Sequence, residues 1–257
     1  LTGLVSRASA HPLNYPASWF CTFSMAALAA RVAVSPTAQS QATHPKKVVV
    51  MGDSLVYGYG DTEGGGWVER LRRQWMDPEQ PGPIIYNLGV RGDGAQQVSV
   101  RLEREFKLRG ELRRRVPDIL VLSVGLNDCA RLGRPTGRPM TDEVTFTRAL
   151  HDVLDQAKGL CPTFFVGMIP VNEVAMPYAD MLHFSNDDQR HYNQITRHAC
   201  GARQIPYLDL YQRWCAQGES WRNERLCSDG LHPNVLGYRA LMAEVLGWGP
   251  LMQALAY

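Results

Sequence analysis

From position 46 onward, hydrophobic positions follow two alternating patterns. Short runs of consecutive apolar, often β-branched residues between turn-forming residues are typical of buried strands. They predict five strands, over Lys47–Gly52, Pro83–Leu88, Pro117–Val124, Thr163–Ile169 and Pro206–Leu210. Between these runs, apolar residues recur at the spacing of one helix face. They predict helices over Trp67–Trp75, Gly94–Arg115, Asp142–Gly159, Asp187–Arg203 and Val235–Leu246.

This alternation of strands and helices determines the expected fold class. It is typical of βαβ units, which build a parallel sheet through right-handed crossovers. Five strands predict an α/β protein, a three-layer α/β/α sandwich of the flavodoxin-like kind. Residues 46–257 contain no internal repeat and no sign of a second domain. We therefore expect one domain over this range.

The first 45 residues differ from the rest, because they are rich in Ala, Ser, Thr and Pro. We expect a poorly ordered extension, or a start assigned too early with the true first residue near Met25. A weak secretory signal is the alternative, since Arg7 precedes the apolar stretch Trp19–Ala30. A cytoplasmic location is expected, and a secreted or periplasmic one if this segment is a signal.

Composition narrows the classes of partner. The 257 residues are 45% hydrophobic and 20% charged, which is typical of a globular protein. With 27 basic and 25 acidic residues the net charge is +2, so we expect no nucleic acid partner. The sequence contains no run of 18 apolar residues, so we expect no integral membrane association. Six cysteines without a CxxC pair predict scattered reduced thiols, and the oligomeric state is left open.

Residues whose side chains could take part in catalysis or binding follow the predicted strands. Ligands of open parallel sheets bind beyond the carboxyl ends of the strands. Three such ends carry Gly52-Asp53-Ser54-Leu55, Asn87-Leu88-Gly89-Val90-Arg91-Gly92 and Gly125-Leu126-Asn127-Asp128, and the last helix is preceded by Asp229-Gly230-Leu231-His232-Pro233. We expect the four segments to converge on one edge of the sheet.

These segments contain the parts of a nucleophilic site. A serine hydroxyl needs a positioned base, and His232 can take the proton of Ser54. Asp229, three residues before His232, can hold one imidazole nitrogen and stabilise the imidazolium. Acyl transfer also needs donors for an oxyanion. The candidates are the N–H groups of Ser54 and Gly89 and the side-chain amide of Asn127.

The four segments resemble the motif blocks of GDSL-type esterases, the SGNH-hydrolase superfamily. The resemblance covers roughly residues 47–246 and implies a triad of Ser54, Asp229 and His232. It also implies an oxyanion hole from Ser54, Gly89 and Asn127. The expected function is a serine ester hydrolase that acts on small or medium acyl esters through an acyl-serine intermediate, with no metal or organic cofactor. A carbohydrate O-acetylesterase and a non-catalytic acyl- or glycan-binding module are the alternatives.

Each of these residues also has a purely structural interpretation. Ser54 and Asp53 are common helix caps, and Gly89 and Gly92 suit tight turns. Asn127 and Asp128 are ordinary turn residues. Two groups of side chains are candidates for the walls of the substrate pocket. One predicted wall consists of Met176, Tyr178, Met181 and Phe184, and the other of Tyr57 and Trp67, unless these side chains pack against the sheet.

Overall fold

Five parallel strands form the central sheet. The computed structural model describes residues 45–80, 82–110 and 116–256, so the predicted N-terminal extension lies outside the described residues except for Pro45. Seven strands lie in this part of the chain: β1 Lys47–Gly52, β2 Ile84–Gly89, β3 Ile119–Ser123, β4 Arg131–Leu132, β5 Thr163–Val166, β6 Leu182–His183 and β7 Tyr207–Leu208. The sheet order is β2-β1-β3-β5-β7, and β4 and β6 form a separate antiparallel pair.

Helices follow most strands. Within the described residues they are α1 Ser54–Tyr57, α2 Gly66–Gln74, α3 Ala95–Lys107, α4 Glu143–Leu160, α5 Asn186–Ala202, α6 Leu210–Ala216, α7 Glu219–Asn223, α8 Val235–Leu246 and α9 Gly249–Leu255. α4 packs between α3 and α5, and α2 packs against α8. The chain steps from β1 to β2 and then back past β1 to β3, so right-handed crossovers place α2 and α3 on opposite faces. This is the predicted three-layer α/β/α fold.

Several element ends differ from their predicted positions. The last strand ends at Leu208, because the carboxylate of Asp209 accepts a hydrogen bond from the Gln212 N–H (3.0 Å) and starts α6. The fourth sheet strand ends at Val166 instead of Ile169. α3 ends at Lys107, and residues 111–115 of its predicted extension are outside the described range. No helix in the described ranges is long and apolar enough to span a bilayer.

The turn from β1 into α1 is tightly packed. A Cβ atom on Gly52 would lie 1.9 Å from the Ser123 carbonyl oxygen, so only glycine lets the ends of β1 and β3 approach this closely. Asp53 caps α1, and its carboxylate accepts a hydrogen bond from the Leu55 N–H (2.9 Å). Burial, reinforced by the nearby carboxylates of Asp128 and Asp93, raises the pKa of Asp53 to about 7.

A second carboxylate fixes the glycine-rich loop 58–66 that follows α1. The Asp61 side chain accepts hydrogen bonds from the N–H groups of Gly64 (2.9 Å) and Gly66 (3.0 Å). It also accepts two from the Arg70 guanidinium, at 2.6 and 2.8 Å. Burial opposes ionisation of Asp61, but these donors outweigh it and lower its pKa. The ion pair therefore holds the loop against the start of α2.

The buried carboxyl of Asp53 predicts a pH-dependent stability. In the unfolded chain this group ionises near pH 4, whereas in the folded protein it keeps its proton up to about pH 7. Between these values the folded state binds more protons, so raising the pH destabilises it through this group. Asp53→Asn keeps a capping oxygen and removes the titration. We expect the free energy of unfolding of the variant, relative to wild type, to rise by ~2–4 kcal/mol from pH 4.5 to pH 8.

Urea denaturation at several pH values measures this difference. Asp77→Asn, which removes an exposed carboxylate, corrects for the loss of one negative charge. If the difference in the free energy of unfolding between Asp53→Asn and wild type stays constant from pH 4.5 to pH 8, Asp53 is ionised in the folded protein over this range.

Candidate active site

Three side chains from two distant parts of the chain form one hydrogen-bonded relay. Ser54 starts α1 at the carboxyl end of β1, and His232 lies in the loop before α8. The Nε2 atom of His232 is 2.9 Å from Ser54 Oγ, and its Nδ1 atom is 2.7 Å from Asp229 Oδ2. Ser54 and His232 are almost fully buried, with 3% and 2% of their surface exposed. The structure thus brings together three of the five predicted site residues.

Electrostatics determine which imidazole nitrogen carries the proton. Burial opposes ionisation of Asp229, but hydrogen bonds from His232 and from the Leu231 N–H outweigh it and lower its pKa. An ionised carboxylate only accepts hydrogen bonds, so Nδ1–H of His232 is the donor to Asp229. In the neutral imidazole, Nε2 is then an acceptor for the Ser54 hydroxyl. This is the protonation state that a general base needs.

The loop that carries His232 is fixed on several sides. Asp229 Oδ1 accepts hydrogen bonds from the N–H groups of Leu231 (2.9 Å) and His232 (3.0 Å). The His232 carbonyl accepts one from the Cys227 N–H at 2.7 Å. Two aromatic rings pack edge-on against the imidazole, Tyr59 at 4.7 Å and Tyr178 at 5.6 Å between ring centroids. The rings and the backbone together hold the imidazole in one orientation.

Two of the predicted oxyanion donors are available in this structure. The Ser54 N–H belongs to the first turn of α1, where backbone donors lack helical partners, and no described residue accepts from it. Asn127 lies in a short 3-10 turn after β3. Its Nδ2 donates to the Asp93 carbonyl at 2.9 Å, which uses one of its two amide hydrogens. The second hydrogen remains for a ligand.

The geometry does not support the expected role of Gly89. Its N–H donates to Asn87 Oδ1 at 3.0 Å. A Cβ on Gly89 would lie 2.1 Å from the Tyr57 nitrogen, so this glycine serves the close contact between β2 and α1. Gly89 differs from its expected role for a local reason. The Asn87 side chain turns back onto the end of β2 and accepts the hydrogen bond from the Gly89 N–H.

Gly92, three residues further on, has the properties that Gly89 lacks. It adopts a φ of +84°, and a Cβ there would meet open space. Within the part of the chain that the structure describes, its N–H has no acceptor. The next residue, Asp93, is the one whose carbonyl binds Asn127, so the turn is anchored beside that amide. The sequence signal for it is a second glycine after the same strand, which by itself predicts only a tight turn.

Buried charges hold these turns in place. The Arg101 guanidinium donates to the carbonyls of Gly52 (2.9 Å) and Leu88 (3.0 Å) and to the Asp93 carboxylate (2.7 Å). It thereby ties the ends of β1 and β2 to the turn that contains Gly92. Asp128 accepts a hydrogen bond from the Ala95 N–H at 2.9 Å and links the Asn127 turn to the start of α3. Burial raises the pKa of Asp128.

The predicted substrate walls are only partly at the surface. Trp67 and Phe184, at 1% and 2% exposure, belong to the hydrophobic core. Tyr57 and Met181 are more than half exposed. Tyr178 contacts His232 directly, as does Tyr59 of the glycine-rich loop 58–66. In the described ranges, no group of three His, Cys, Asp or Glu side chains is arranged to hold a metal ion.

Similar solved structures support the fold. A lipase/acylhydrolase from Enterococcus faecalis is 22% identical and superposes with a TM-score of 0.61, covering 78% of this chain and 93% of that one. A variant of an acetyl xylan esterase from Geobacillus stearothermophilus is 18% identical, with a TM-score of 0.58 and the same coverages. A G-D-S-L family lipolytic protein from Veillonella parvula is 19% identical, with a TM-score of 0.58, covering 80% and 98%.

Sequence comparison gives the family. No curated protein matches the sequence significantly. Residues 50–240 match the family described as GDSL-like Lipase/Acylhydrolase, a range that contains all four motif segments and most of the chain. The match confirms the resemblance predicted from those segments, and the chain belongs to the GDSL-like lipase/acylhydrolase family.

Proposed function

We propose that the protein is a serine ester hydrolase that forms an acyl-serine intermediate on Ser54. The observation that carries the proposal is the relay of hydrogen bonds from Ser54 Oγ through His232 to Asp229, at 2.9 and 2.7 Å. Membership of an acylhydrolase family supports the same reaction class. A binding module would need a pocket but no base beside a buried serine hydroxyl.

In the first half of the reaction, Ser54 Oγ attacks the carbonyl carbon of the ester while its proton passes to His232 Nε2. A tetrahedral oxyanion forms, and the ionised Asp229 stabilises the imidazolium. The intermediate collapses, the bond to the alcohol oxygen breaks, and the imidazolium gives its proton to that oxygen. The alcohol leaves and the acyl group stays on Ser54.

In the second half, water replaces the alcohol. The neutral His232 Nε2 takes a proton from the water as its oxygen attacks the acyl carbon. The second oxyanion collapses to the carboxylic acid, and the proton returns to Ser54 Oγ. The sum is one ester and one water converted to one acid and one alcohol.

The proposed oxyanion donors are the N–H groups of Ser54 and Gly92 and the free amide hydrogen of Asn127. Gly92 replaces Gly89 in this set because the Gly89 N–H is bonded to Asn87. Three donors from three turns, all fixed by the network around Arg101 and Asp128, are preorganised for charge that appears only during the reaction.

Esters with short or medium acyl chains are the proposed substrates, and acetylated carbohydrate is the second candidate. The observation that favours carbohydrate is an open cleft whose lining includes Tyr57, Tyr59 and Asn87, because Tyr59 also packs on His232. Tyr57 is 54% exposed there and offers a ring on which a sugar can stack. Acetyl xylan esterases are also among the structures of similar fold.

Removal of the nucleophile or the base tests the reaction class. Ser54→Ala and His232→Ala are each expected to lower kcat/KM for p-nitrophenyl acetate by roughly 10⁴-fold, because the relay acts as a unit. Ser220→Ala and His198→Ala, at exposed positions on α7 and α5, are the matched controls. Their rates should equal the wild-type rate. A purified, folded Ser54→Ala variant with near-normal turnover would refute the proposal.

The oxyanion donors are tested by exchange of single backbone amides for esters. Glycolate in place of Gly92 removes only the N–H and is expected to lower kcat by ~10²–10³-fold, as is Asn127→Ala. Glycolate in place of Gly89 is the matched control and should change kcat much less, because that N–H binds Asn87. The opposite ranking would restore Gly89 as the donor.

A substrate series separates the two candidate substrates. We expect kcat/KM for p-nitrophenyl esters to fall as the acyl chain lengthens beyond medium size. Acetate release from acetylated xylo-oligosaccharides is measured alongside. If carbohydrate is the substrate, Tyr57→Ala should slow that release much more than hydrolysis of p-nitrophenyl acetate. An equal effect on both reactions would argue against sugar stacking on Tyr57.

A further inference from the structure

One exposed cation lies beside the candidate active site. Arg91 occupies the turn between β2 and α3, and its guanidinium carbon is 3.7 Å from the centroid of the Tyr59 ring. The Tyr59 ring in turn packs on the His232 imidazole at 4.7 Å. The guanidinium is therefore separated from the catalytic base of the proposed reaction by a single aromatic ring.

The backbone of Arg91 lies in the same turn as the proposed oxyanion donor Gly92. It directly precedes Gly92, and the Asp93 carbonyl accepts the hydrogen bond from Asn127 Nδ2. The residue thus spans from the proposed oxyanion donors to the ring that covers His232. A substrate whose carbonyl oxygen lies among those donors would have its neighbouring groups within reach of this side chain.

Three carboxylates around the site are already bound to basic side chains. Asp61 pairs with Arg70 at 2.6 Å, Asp93 with Arg101 at 2.7 Å and Asp229 with His232 at 2.7 Å. Among the described residues, none forms an ion pair with Arg91. The ring of Tyr59 satisfies one face of the guanidinium and leaves its N–H groups, which lie in the plane, for a ligand.

We propose that Arg91 is a specificity residue that binds a negatively charged group of the substrate, a carboxylate a few bonds from the scissile ester. This inference rests on the proposed function. A planar guanidinium matches a carboxylate in a two-point hydrogen bond, and stacking on Tyr59 holds it in place before the substrate arrives. The favoured substrates are then acidic esters, with the charge in either the acyl or the alcohol part.

Two pairs of esters measure the preference and locate the charge. p-Nitrophenyl hemiglutarate and p-nitrophenyl valerate have acyl chains of equal length and differ in a terminal carboxylate. 4-Acetoxybenzoate and 4-acetoxybenzamide place the same difference in the alcohol part. We expect wild type to prefer the anionic member of at least one pair in kcat/KM. The preferred pair identifies the side of the ester that faces Arg91.

Variants of Arg91 test whether this side chain causes the preference. Arg91→Met is expected to lower the anionic-to-neutral ratio of kcat/KM by about tenfold, mainly through KM, and Arg91→Lys to retain part of the ratio. Arg104→Met removes an exposed arginine on α3, about 14 Å along the helix from its start, and should leave the ratio unchanged. Added salt should reduce the ratio in wild type and not in Arg91→Met.

The competing explanation is that Arg91 only orients Tyr59 against His232. In that case Arg91→Met would slow both members of each pair by the same factor through kcat, and the ratio would stay constant. That result overturns the inference, as does a ratio in Arg91→Met equal to that in Arg104→Met.

A binding measurement separates this inference from the proposed function. NMR titration with glutarate follows anion binding without any hydrolysis. Binding by wild type that Arg91→Met abolishes supports the anion site even if no ester is cleaved. Glutarate that binds both proteins equally, or neither of them, overturns it, whereas loss of ester hydrolysis alone contradicts only the proposed reaction.

Discussion

The hydrogen bond between Ser54 Oγ and His232 Nε2 joins positions 178 residues apart, and the proposed chemistry depends on it. A serine hydroxyl alone is a weak nucleophile, and it needs an imidazole positioned beside it as a base. The parallel sheet brings them together, because the end of β1 and the loop before α8 meet at one edge. The lowered pKa of Asp229 then sets the imidazole tautomer that makes the contact a base–hydroxyl pair.

Buried polar groups maintain this geometry. Arg101 ties two strand ends to the Gly92 turn, and Asp128 ties the Asn127 turn to α3. Arg101 satisfies two backbone carbonyls and Asp128 one backbone N–H that would otherwise be buried without partners. Asp53 is buried beside the carboxylates of Asp128 and Asp93, and its pKa is raised to about 7. Because Asp53 directly precedes Ser54, the close packing of this turn is expected to cost stability when the pH rises.

Local sequence is enough to predict the strands and the segments that carry Ser54, Asp229 and His232. Strands such as Lys47–Gly52 are continuous apolar runs, and Ser54, Asp229 and His232 lie in turn segments beside predicted elements. The choice between Gly89 and Gly92 was not accessible, because it depends on where the Asn87 side chain turns. The contact of Tyr59 with His232 depends on how loop 58–66 folds, and the predicted wall residue Trp67 lies in the hydrophobic core.

The most direct test of an activated serine is its covalent capture. A fluorophosphonate reacts with a serine only when a base and oxyanion donors activate the hydroxyl. Peptide mass spectrometry of the treated wild-type protein is predicted to show one phosphonyl adduct, on Ser54, that forms far more slowly in His232→Ala. An unlabelled wild-type protein, or an adduct on another serine, would contradict the account.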